Sequence, residues 1–303
     1  MTLGVSRVFH CNVNCSNLER SLAFYRDALG FTQGAHTVPE APQPGGAFGL
    51  DRAQWDAWIL YDDRGWDGMG IDLLEWQVPK PTGAPYPVAN HLGFSRLGFT
   101  TPDLDATYQR LLDAGAKCFG PPHAVEVAGV EGLRAFVATD PDGTQIEILS
   151  GDSTRFAFVA INCSDLERSV EFYSDIVGFR ALARIAPGVR DESALGLGPG
   201  SEWEMHYLDD PRHQLAFAVD LVEWKQPKPA GRPYDAANNL GIYRMALMTD
   251  DIDRDYAELQ DRGVKCLSAP ATLEMGPGIP TLRALMFEDP DGTMLELIES
   301  VTG

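Results

Sequence analysis

The stretch "HCNVNCSNLERSLAFYRDALGF", residues 10–31, returns 148 positions later as "FVAINCSDLERSVEFYSDIVGF", residues 158–179. It opens with a strand-like run and continues with apolar residues at helical spacing, namely Leu18, Leu22 and Tyr25. The copy keeps this pattern and changes the first residue from His10 to Phe158. The stretch therefore predicts a strand and helix that occur twice, with different chemistry at one strand position.

Two further segments repeat at nearly the same offset. "LLEWQVPKPTGAPYPVANHLGFSRLGF" (73–99) matches "LVEWKQPKPAGRPYDAANNLGIYRMAL" (221–247), and "DPDGTQIEIL" (140–149) matches "DPDGTMLELI" (289–298). Such repeats indicate a duplicated architecture, and 303 residues suffice for two domains with a core each. We expect an N-terminal domain of residues 1–150 and a C-terminal domain of residues 151–303.

Each half also reads as two related modules. The first module has the strand "RVFHCNVNC" before its helix, and the second has the strand "RLGFTT" before the helical segment "LDATYQRLLDAG" and two further strands. Ser16 and Glu19 have the spacing of a helix capping box, and Gly30 suits the end of that helix. The sequence predicts an α+β fold of four strand–helix–three-strand (βαβββ) modules.

Composition and charge exclude several classes of partner. Lys plus Arg (24) against Asp plus Glu (44) gives a net charge of −20, which repels nucleic acid and anionic membranes. The chain has no apolar run of about 18 residues, and its start lacks the pattern of a signal peptide. Its five cysteines show no spacing typical of a zinc site. We expect a cytoplasmic protein, a monomer or homodimer, whose partner is a small molecule.

Tandem βαβββ modules with "LERSLAFYRDALGF" after the first strand and "DPDGTQIEI" at the end of a module resemble the vicinal oxygen chelate superfamily. This superfamily includes glyoxalase I, bleomycin resistance proteins and extradiol dioxygenases. The resemblance covers nearly the whole chain and implies that paired modules enclose two cup-shaped sites. It does not specify a reaction, because one fold hosts many functions.

The resemblance places metal ligands of the family on the first and last strand of each module. The matching positions, module by module, are His10 with Asp72, Arg96 with Glu147, Phe158 with Asp220, and Arg244 with Glu296. Strand alternation supports His10, because Phe9 and Cys11 would then face the core. Glu75 replaces Asp72 if the strand register slips by one.

An arginine at two of these positions argues against a metal. Arginine stays protonated and has no lone pair to donate, so Arg96 or Arg244 pairs more readily with a neighbouring Glu. We expect no cofactor, although a divalent Fe, Mn or Zn ion on His10, Asp72 and either Glu147 or Glu296 remains the alternative. The first module can pair with the second or with the fourth, which decides whether Arg96 or Arg244 lies beside His10.

The leading hypothesis is a metal-independent isomerase, lyase or cyclase that acts on an aromatic or polyketide-like molecule. Its expected catalytic residues are His10 as the acid or base, Asp72, Arg96 and Glu147. The expected substrate-binding residues are Asn12, Asn14, Trp76, Arg244, Glu296, Asp220 and Phe158. The alternatives are a binding protein that sequesters its ligand, and a metal-dependent enzyme of the glyoxalase or ring-cleaving dioxygenase type.

Overall fold

The computed structural model describes residues 2–125, 131–212 and 217–301. Within these ranges each module consists of a strand, a helix and further strands, as the sequence predicts. The first module has β1 (Val5–Asn14), α1 (Leu18–Leu22), β2 (Thr32–Thr37), β3 (Gln43–Pro44), β4 (Arg52–Tyr61) and β5 (Gly70–Val78). The second has β6 (Gly93–Thr101), α2 (Leu104–Asp113), β7 (His123–Ala124), β8 (Arg134–Thr139) and β9 (Gln145–Ser150).

The third and fourth modules repeat this order. The third has β10 (Arg155–Cys163), α3 (Leu166–Phe172), β11 (Arg180–Glu192), β12 (Gly198–Asp209) and β13 (Ala218–Gln226). The fourth has β14 (Gly241–Thr249), α4 (Ile252–Asp261), β15 (Ala271–Leu273), β16 (Leu282–Glu288) and β17 (Met294–Ser300). A π-helical turn continues α1 over Ala23–Ala28 and α3 over Tyr173–Val177.

The strands form two sheets that combine the two sequence halves. One sheet has the order β15-β16-β17-β14-β1-β5-β4-β2, with β3 beside β4, and the other has the order β11-β12-β13-β10-β6-β9-β8-β7. The first module therefore pairs with the fourth, and the second pairs with the third. The expected division at residue 150 describes the sequence repeat, whereas each cup takes one module from each half.

One large hydrophobic core joins the two sheets. It contains side chains from the first strand of every module, including Cys11, Phe99, Val159 and Leu247. Two smaller clusters line the opposite faces, one in each sheet, and include Trp76 in the first sheet. The helices and the shared core therefore cover one face of each sheet and leave the other face to form a cup.

The helix start differs from the expected capping box by one residue. Asn17, not Ser16, caps α1 by accepting a hydrogen bond from the backbone N–H of Arg20 at 2.9 Å. The Ser16 hydroxyl instead donates to Asp142 in the "DPDG" turn of the second module. Ser164 donates to Asp291 in the same way in the second half, so a contact between a helix start and a turn ties each half together, although its two modules belong to different sheets.

A β-bulge in β1 changes which residues face the cup. The pairing of β1 with β14 shifts between Val8 and His10, so that Val8 packs in the shared core and Phe9 joins the cluster of the cup. The expectation that Phe9 faces the core was wrong, because simple alternation does not hold through a bulge. Both Phe9 and His10 consequently line the same cup.

In the described part of the chain, no helix combines the length and apolar character that crossing a membrane requires.

Candidate active site

The His10 cup, formed by the first and fourth modules, contains a cavity of about 290 Å³. Four ionisable side chains from four strands form its polar floor, namely His10, Asp72, Arg244 and Glu296. All four are at least 95% buried. The rest of the lining is almost entirely apolar, so that the floor concentrates the chemistry that this cup can perform.

Arg244 on β14 bridges the two carboxylates of the floor. Its Nε donates to Glu296 Oε2 at 2.7 Å and its Nη2 donates to Asp72 Oδ2 at 2.7 Å. Burial alone would lower the pKa of this guanidinium, but the two carboxylates outweigh it and raise the pKa above its ordinary value. The third nitrogen, Nη1, is buried without a hydrogen-bond partner among the described residues. The two N–H groups of Nη1 are therefore left for a ligand.

Glu296 stays ionised beneath this arginine. Burial opposes its ionisation, but the positive charge of Arg244, together with the neighbouring imidazole, outweighs burial and lowers the pKa of Glu296 below its ordinary value. The floor consequently carries a fixed negative charge next to the imidazole.

His10 lies against both carboxylates without a hydrogen bond to either. Its Nε2 is 3.8 Å from Asp72 Oδ2 and 3.7 Å from Glu296 Oε2, distances too long for a hydrogen bond. Neither ring nitrogen has a partner within the described part of the chain. Buried polar groups are usually hydrogen-bonded, so an unpartnered imidazole in a cavity is suited to a ligand.

The Phe158 cup, formed by the second and third modules, has a different floor. Arg96 Nε donates to Glu147 Oε2 at 2.7 Å, and the guanidinium carbon lies 5.5 Å from the centre of the Phe158 ring. Asp220 Oδ1 is buried without a partner among the described residues, and burial raises the pKa of Asp220 to about 7. This cup has one arginine–carboxylate pair and one carboxyl group without a hydrogen-bonded cation.

The chain matches the profile of the "Glyoxalase/Bleomycin resistance protein/Dioxygenase superfamily" over residues 7–148 and 155–297. These two matches cover more than half of the sequence. The chain belongs to this superfamily. The membership agrees with the βαβββ modules and with the resemblance that the sequence motifs carry.

Relatives within the superfamily include plant proteins. The chain is 26% identical to the lactoylglutathione lyase GLX1 of Arabidopsis thaliana over 212 residues, which are 69% of this chain and 67% of that protein. It is 23% identical over 302 residues to another protein of that plant, named "Probable lactoylglutathione lyase, chloroplastic", covering 97% and 73% of the two chains.

A solved structure shows the same fold. Glyoxalase I from Zea mays matches with a TM-score of 0.67 at 18% identity, over 97% of this chain and 92% of that chain. At this identity the similarity establishes the tandem glyoxalase-superfamily fold and no more.

The residues on the floor do not fit the divalent metal that the superfamily resemblance implies. The oxygens that face His10, Asp72 Oδ2 and Glu296 Oε2, are the same two that accept hydrogen bonds from Arg244. A metal on these donors would share both oxygens with a permanent cation. Within the described ranges no cluster of three or more His, Cys, Asp or Glu side chains could hold a metal.

The structure separates the predicted catalytic residues into two groups. His10 and Asp72 share a floor with Arg244 and Glu296, whereas Arg96 and Glu147 lie in the other cup. Asp220 and Phe158 belong to that second cup as well.

The strand register that would replace Asp72 by Glu75 is wrong, because Glu75 Oε2 accepts a hydrogen bond from Leu18 N at the start of α1.

The predicted ligand-binding asparagines have other partners. Asn12 Nδ2 donates to the Asp72 backbone oxygen at 3.1 Å and to its Oδ2 at 3.3 Å, and so supports that carboxylate. Asn14 Oδ1 accepts from the Trp76 indole, while its Nδ2 donates to the carbonyls of Ala237 and Asn239. Asn14 and Trp76 therefore anchor the connection into the fourth module, and neither lines the cavity.

Sequence reasoning missed much of the apolar lining. Phe9 depends on the bulge in β1, and Phe48 and Trp66 lie in short helical turns between strands. Met275 lies in the loop after β15. A period-2 pattern gives no signal for residues in turns, although the high aromatic content of 46–66 was available as a hint.

Proposed function

We propose that the His10 cup is the active site of a metal-independent enzyme that transfers a proton next to a carbonyl group of a small aromatic or polyketide-like molecule. The observation that carries this proposal is the His10 imidazole, which lines the cavity without a hydrogen-bond partner, beside an arginine whose Nη1 is also unpartnered. The reaction class is that of an isomerase, lyase or cyclase, all of which can proceed through an enolate.

In this mechanism His10 is the base. A ring nitrogen of His10 accepts the proton of the C–H bond next to the carbonyl, and the electron pair of that bond moves to the carbonyl oxygen. The new imidazolium lies within 4 Å of Asp72 and Glu296, whose negative charges stabilise it. Because neither carboxylate is hydrogen-bonded to the ring, Asp72 acts on His10 through charge and not through orientation.

Arg244 stabilises the oxyanion. Its Nη1 can donate a hydrogen bond to the enolate oxygen, while Nε and Nη2 are held by Glu296 and Asp72. A donor fixed before the reaction needs little reorganisation when charge develops on the substrate. In an isomerisation of an unsaturated ketone, the imidazolium then returns its proton to the γ-carbon of the dienolate, and the double bond moves. In a lyase reaction, the enolate electron pair forms a new C=C bond and breaks the bond to a leaving group on the β-carbon, which takes the proton from the imidazolium.

The names of the plant relatives suggest another substrate class, an adduct of glutathione. The proposed chemistry at His10 does not depend on this choice.

Proton exchange tests the proposal with defined probes. We expect the protein to catalyse deuterium uptake from D₂O at the carbon next to the carbonyl of 2-hydroxyacetophenone or 2-tetralone, measured by NMR. His10→Ala should slow this exchange by about 100-fold or more, as removal of a general base does. Treatment with a chelator should leave the rate unchanged.

A matched control comes from the other cup. Phe158→Ala, at the position equivalent to His10, should leave the exchange rate unchanged. Exchange that survives His10→Ala, or that chelation abolishes, contradicts the proposal. Binding of both ketones by the wild-type protein without any exchange would instead identify a binding protein.

A further inference from the structure

The walls of the His10 cup differ from each other in chemistry. The wall contributed by the first module is mostly aromatic and contains Ala35, Thr37, Ile59 and Leu74 together with Phe9, Phe48, Trp55, Tyr61 and Trp66. The wall contributed by the fourth module is aliphatic and consists of Met248, Leu273, Met275, Ile279, Leu282 and Ile298. A ring can stack on the first wall while flexible Met and branched side chains cover its other face. These walls favour a flat, apolar ligand.

The charges of the cup disfavour an anionic ligand. Among the described residues, Arg244 is the only Lys or Arg whose side chain lines the cavity, and two of its three nitrogens already bind carboxylates. The formal charges of Arg244, Asp72 and Glu296 sum to +1 − 1 − 1 = −1. A carboxylate brought into this cup would lose its hydration and gain only Nη1 of a guanidinium whose charge two carboxylates already balance, which is costly. Glutathione conjugates, which have two carboxylates, are therefore unsuited to it.

The size of the cavity limits the ligand further. About 290 Å³ lies near the lower end of the range of about 300–1,000 Å³ typical of ligand pockets. This space suits one or two fused rings with a small substituent, and the peptide portion of a glutathione conjugate would have to lie outside the apolar walls.

Trp66 is placed to cover such a ligand at the mouth of the cup. Its side chain is 55% exposed although it lines the cavity, and its ring centre lies 5.0 Å from that of Phe9. Arg7 fixes the turn that carries it, since Arg7 Nη2 donates to the Gly68 carbonyl at 2.7 Å and its guanidinium carbon lies 5.4 Å from the indole. The turn that carries the indole is therefore held in place, while more than half of Trp66 stays exposed.

We infer that the His10 cup takes an uncharged planar molecule of one or two fused rings, held between the two walls and covered by Trp66, and that it excludes glutathione conjugates. The oxygen of this molecule accepts a hydrogen bond from Arg244 Nη1. The inference rests on the proposed function only for which end of the ligand faces His10, since the walls and charges select the ligand whether or not a reaction follows.

Calorimetric titration of the full chain with three probes tests this inference. The probes are 2-naphthol, which is neutral at pH 7, 2-naphthoate, which has the same rings and a carboxylate, and S-benzylglutathione. We expect 2-naphthol to bind at least about tenfold more tightly than either anion, because each tenfold step corresponds to about 1.4 kcal/mol and an unpaired buried charge costs more than this. Trp66→Ala should weaken 2-naphthol binding by about tenfold through the loss of stacking.

Two control variants separate this inference from the proposed function. Trp58→Ala removes a tryptophan of β4 that packs toward the shared core and not the cavity, and it should leave 2-naphthol binding unchanged. His10→Ala should slow proton exchange by about 100-fold or more, while 2-naphthol still binds more tightly than either anion, because the walls and the charges of Asp72 and Glu296 remain.

Three other outcomes would each contradict a different claim. Equal or tighter binding of S-benzylglutathione, or no binding of 2-naphthol, overturns the ligand class. An unchanged affinity in Trp66→Ala overturns the role of Trp66. Exchange that persists in His10→Ala would instead overturn the proposed function and leave the ligand class standing.

Discussion

The two cups are built from equivalent strands, yet they differ in one pair of residues that face each other across neighbouring strands, and both members of the pair differ. His10 lies opposite Ala246 across the β1–β14 pairing, whereas Phe158 lies opposite Gly98 across the β10–β6 pairing. A Cβ atom added at Gly98 would lie 2.0 Å from Phe158 Cε1, so the phenyl ring occupies the space that glycine leaves.

The floors differ at a second position of the same strand. Asn12 supports Asp72 in the His10 cup, and the equivalent residue of the Phe158 cup, Ala160, has no polar side chain. Arg244 accordingly bridges two carboxylates, while the hydrogen bond of Arg96 goes to Glu147 alone. The His10 cup therefore keeps a complete polar floor beneath its cavity, whereas the Phe158 cup has a phenyl ring that packs on the sheet in place of the imidazole.

Replacement of the arginine in each cup should give the largest difference in the free energy of unfolding. Arg244→Met leaves Asp72 and Glu296 both buried without a cation, and we expect it to lower the free energy of unfolding by about 3–5 kcal/mol. Arg96→Met leaves only Glu147, in a pair that is more exposed, at 14% and 15% of the two side chains, so it should cost less. Urea unfolding of both variants at pH 7 measures the difference.

Arg244→Lys provides the control for charge. It keeps the cation and removes the bidentate geometry of the guanidinium, so its stability should lie between those of the wild type and Arg244→Met. An equal loss in Arg244→Met and Arg96→Met would show that the bridge contributes nothing beyond a single ion pair.

The fold could be predicted from the sequence, because the repeated strand, helix and "DPDG" signals depend on local spacing. The floor residues could also be assigned one module at a time, since His10 and Arg244 occupy matching strand positions. Which of them meet could not be predicted. The two halves carry nearly the same residues at the strand edges, so that either pairing of modules satisfies the apolar pattern, and only the observed strand order distinguishes them.

Asp220, in the Phe158 cup, should make the stability of the protein depend on pH, with an effect of intermediate size. Burial raises its pKa to about 7 in the folded protein, against about 4 in an unfolded chain. The folded state therefore holds a proton that the unfolded state has lost, and the contribution of Asp220 to stability falls as the pH rises from about 4 to about 7. Asp220→Asn, which is neutral throughout, should gain stability relative to the wild type by up to about 1.4 kcal/mol per pH unit in this window.

Urea unfolding at pH 5 and pH 7.5 checks this expectation. Asp140 and Asp289, whose pKa values burial also raises, to about 6, are present in both proteins and cancel in the difference. The same substitution in the other cup, Asp72→Asn, should destabilise at pH 7.5, because it weakens the contact with Arg244. A stability difference for Asp220→Asn that does not change with pH would refute the assignment.

The smallest expected effect concerns Asn12, which is a positioning residue for Asp72. Asn12→Ala gives the His10 cup the residue of the Phe158 cup, and it removes two hydrogen bonds to Asp72 together with a buried Oδ1 that has no partner among the described residues. Because the lost bonds and the removed unsatisfied acceptor oppose each other, stability should fall by about 1 kcal/mol or less. Proton exchange should slow by up to about fivefold, since 1.4 kcal/mol corresponds to tenfold, while the affinity for 2-naphthol stays the same.

Asn14→Ala is the matched control. It releases the Trp76 indole and two backbone carbonyls, and so it should lose more stability than Asn12→Ala. An exchange rate that Asn12→Ala leaves unchanged would mean that Arg244 alone holds Asp72 in place, and that the second difference between the cups has no part in the chemistry.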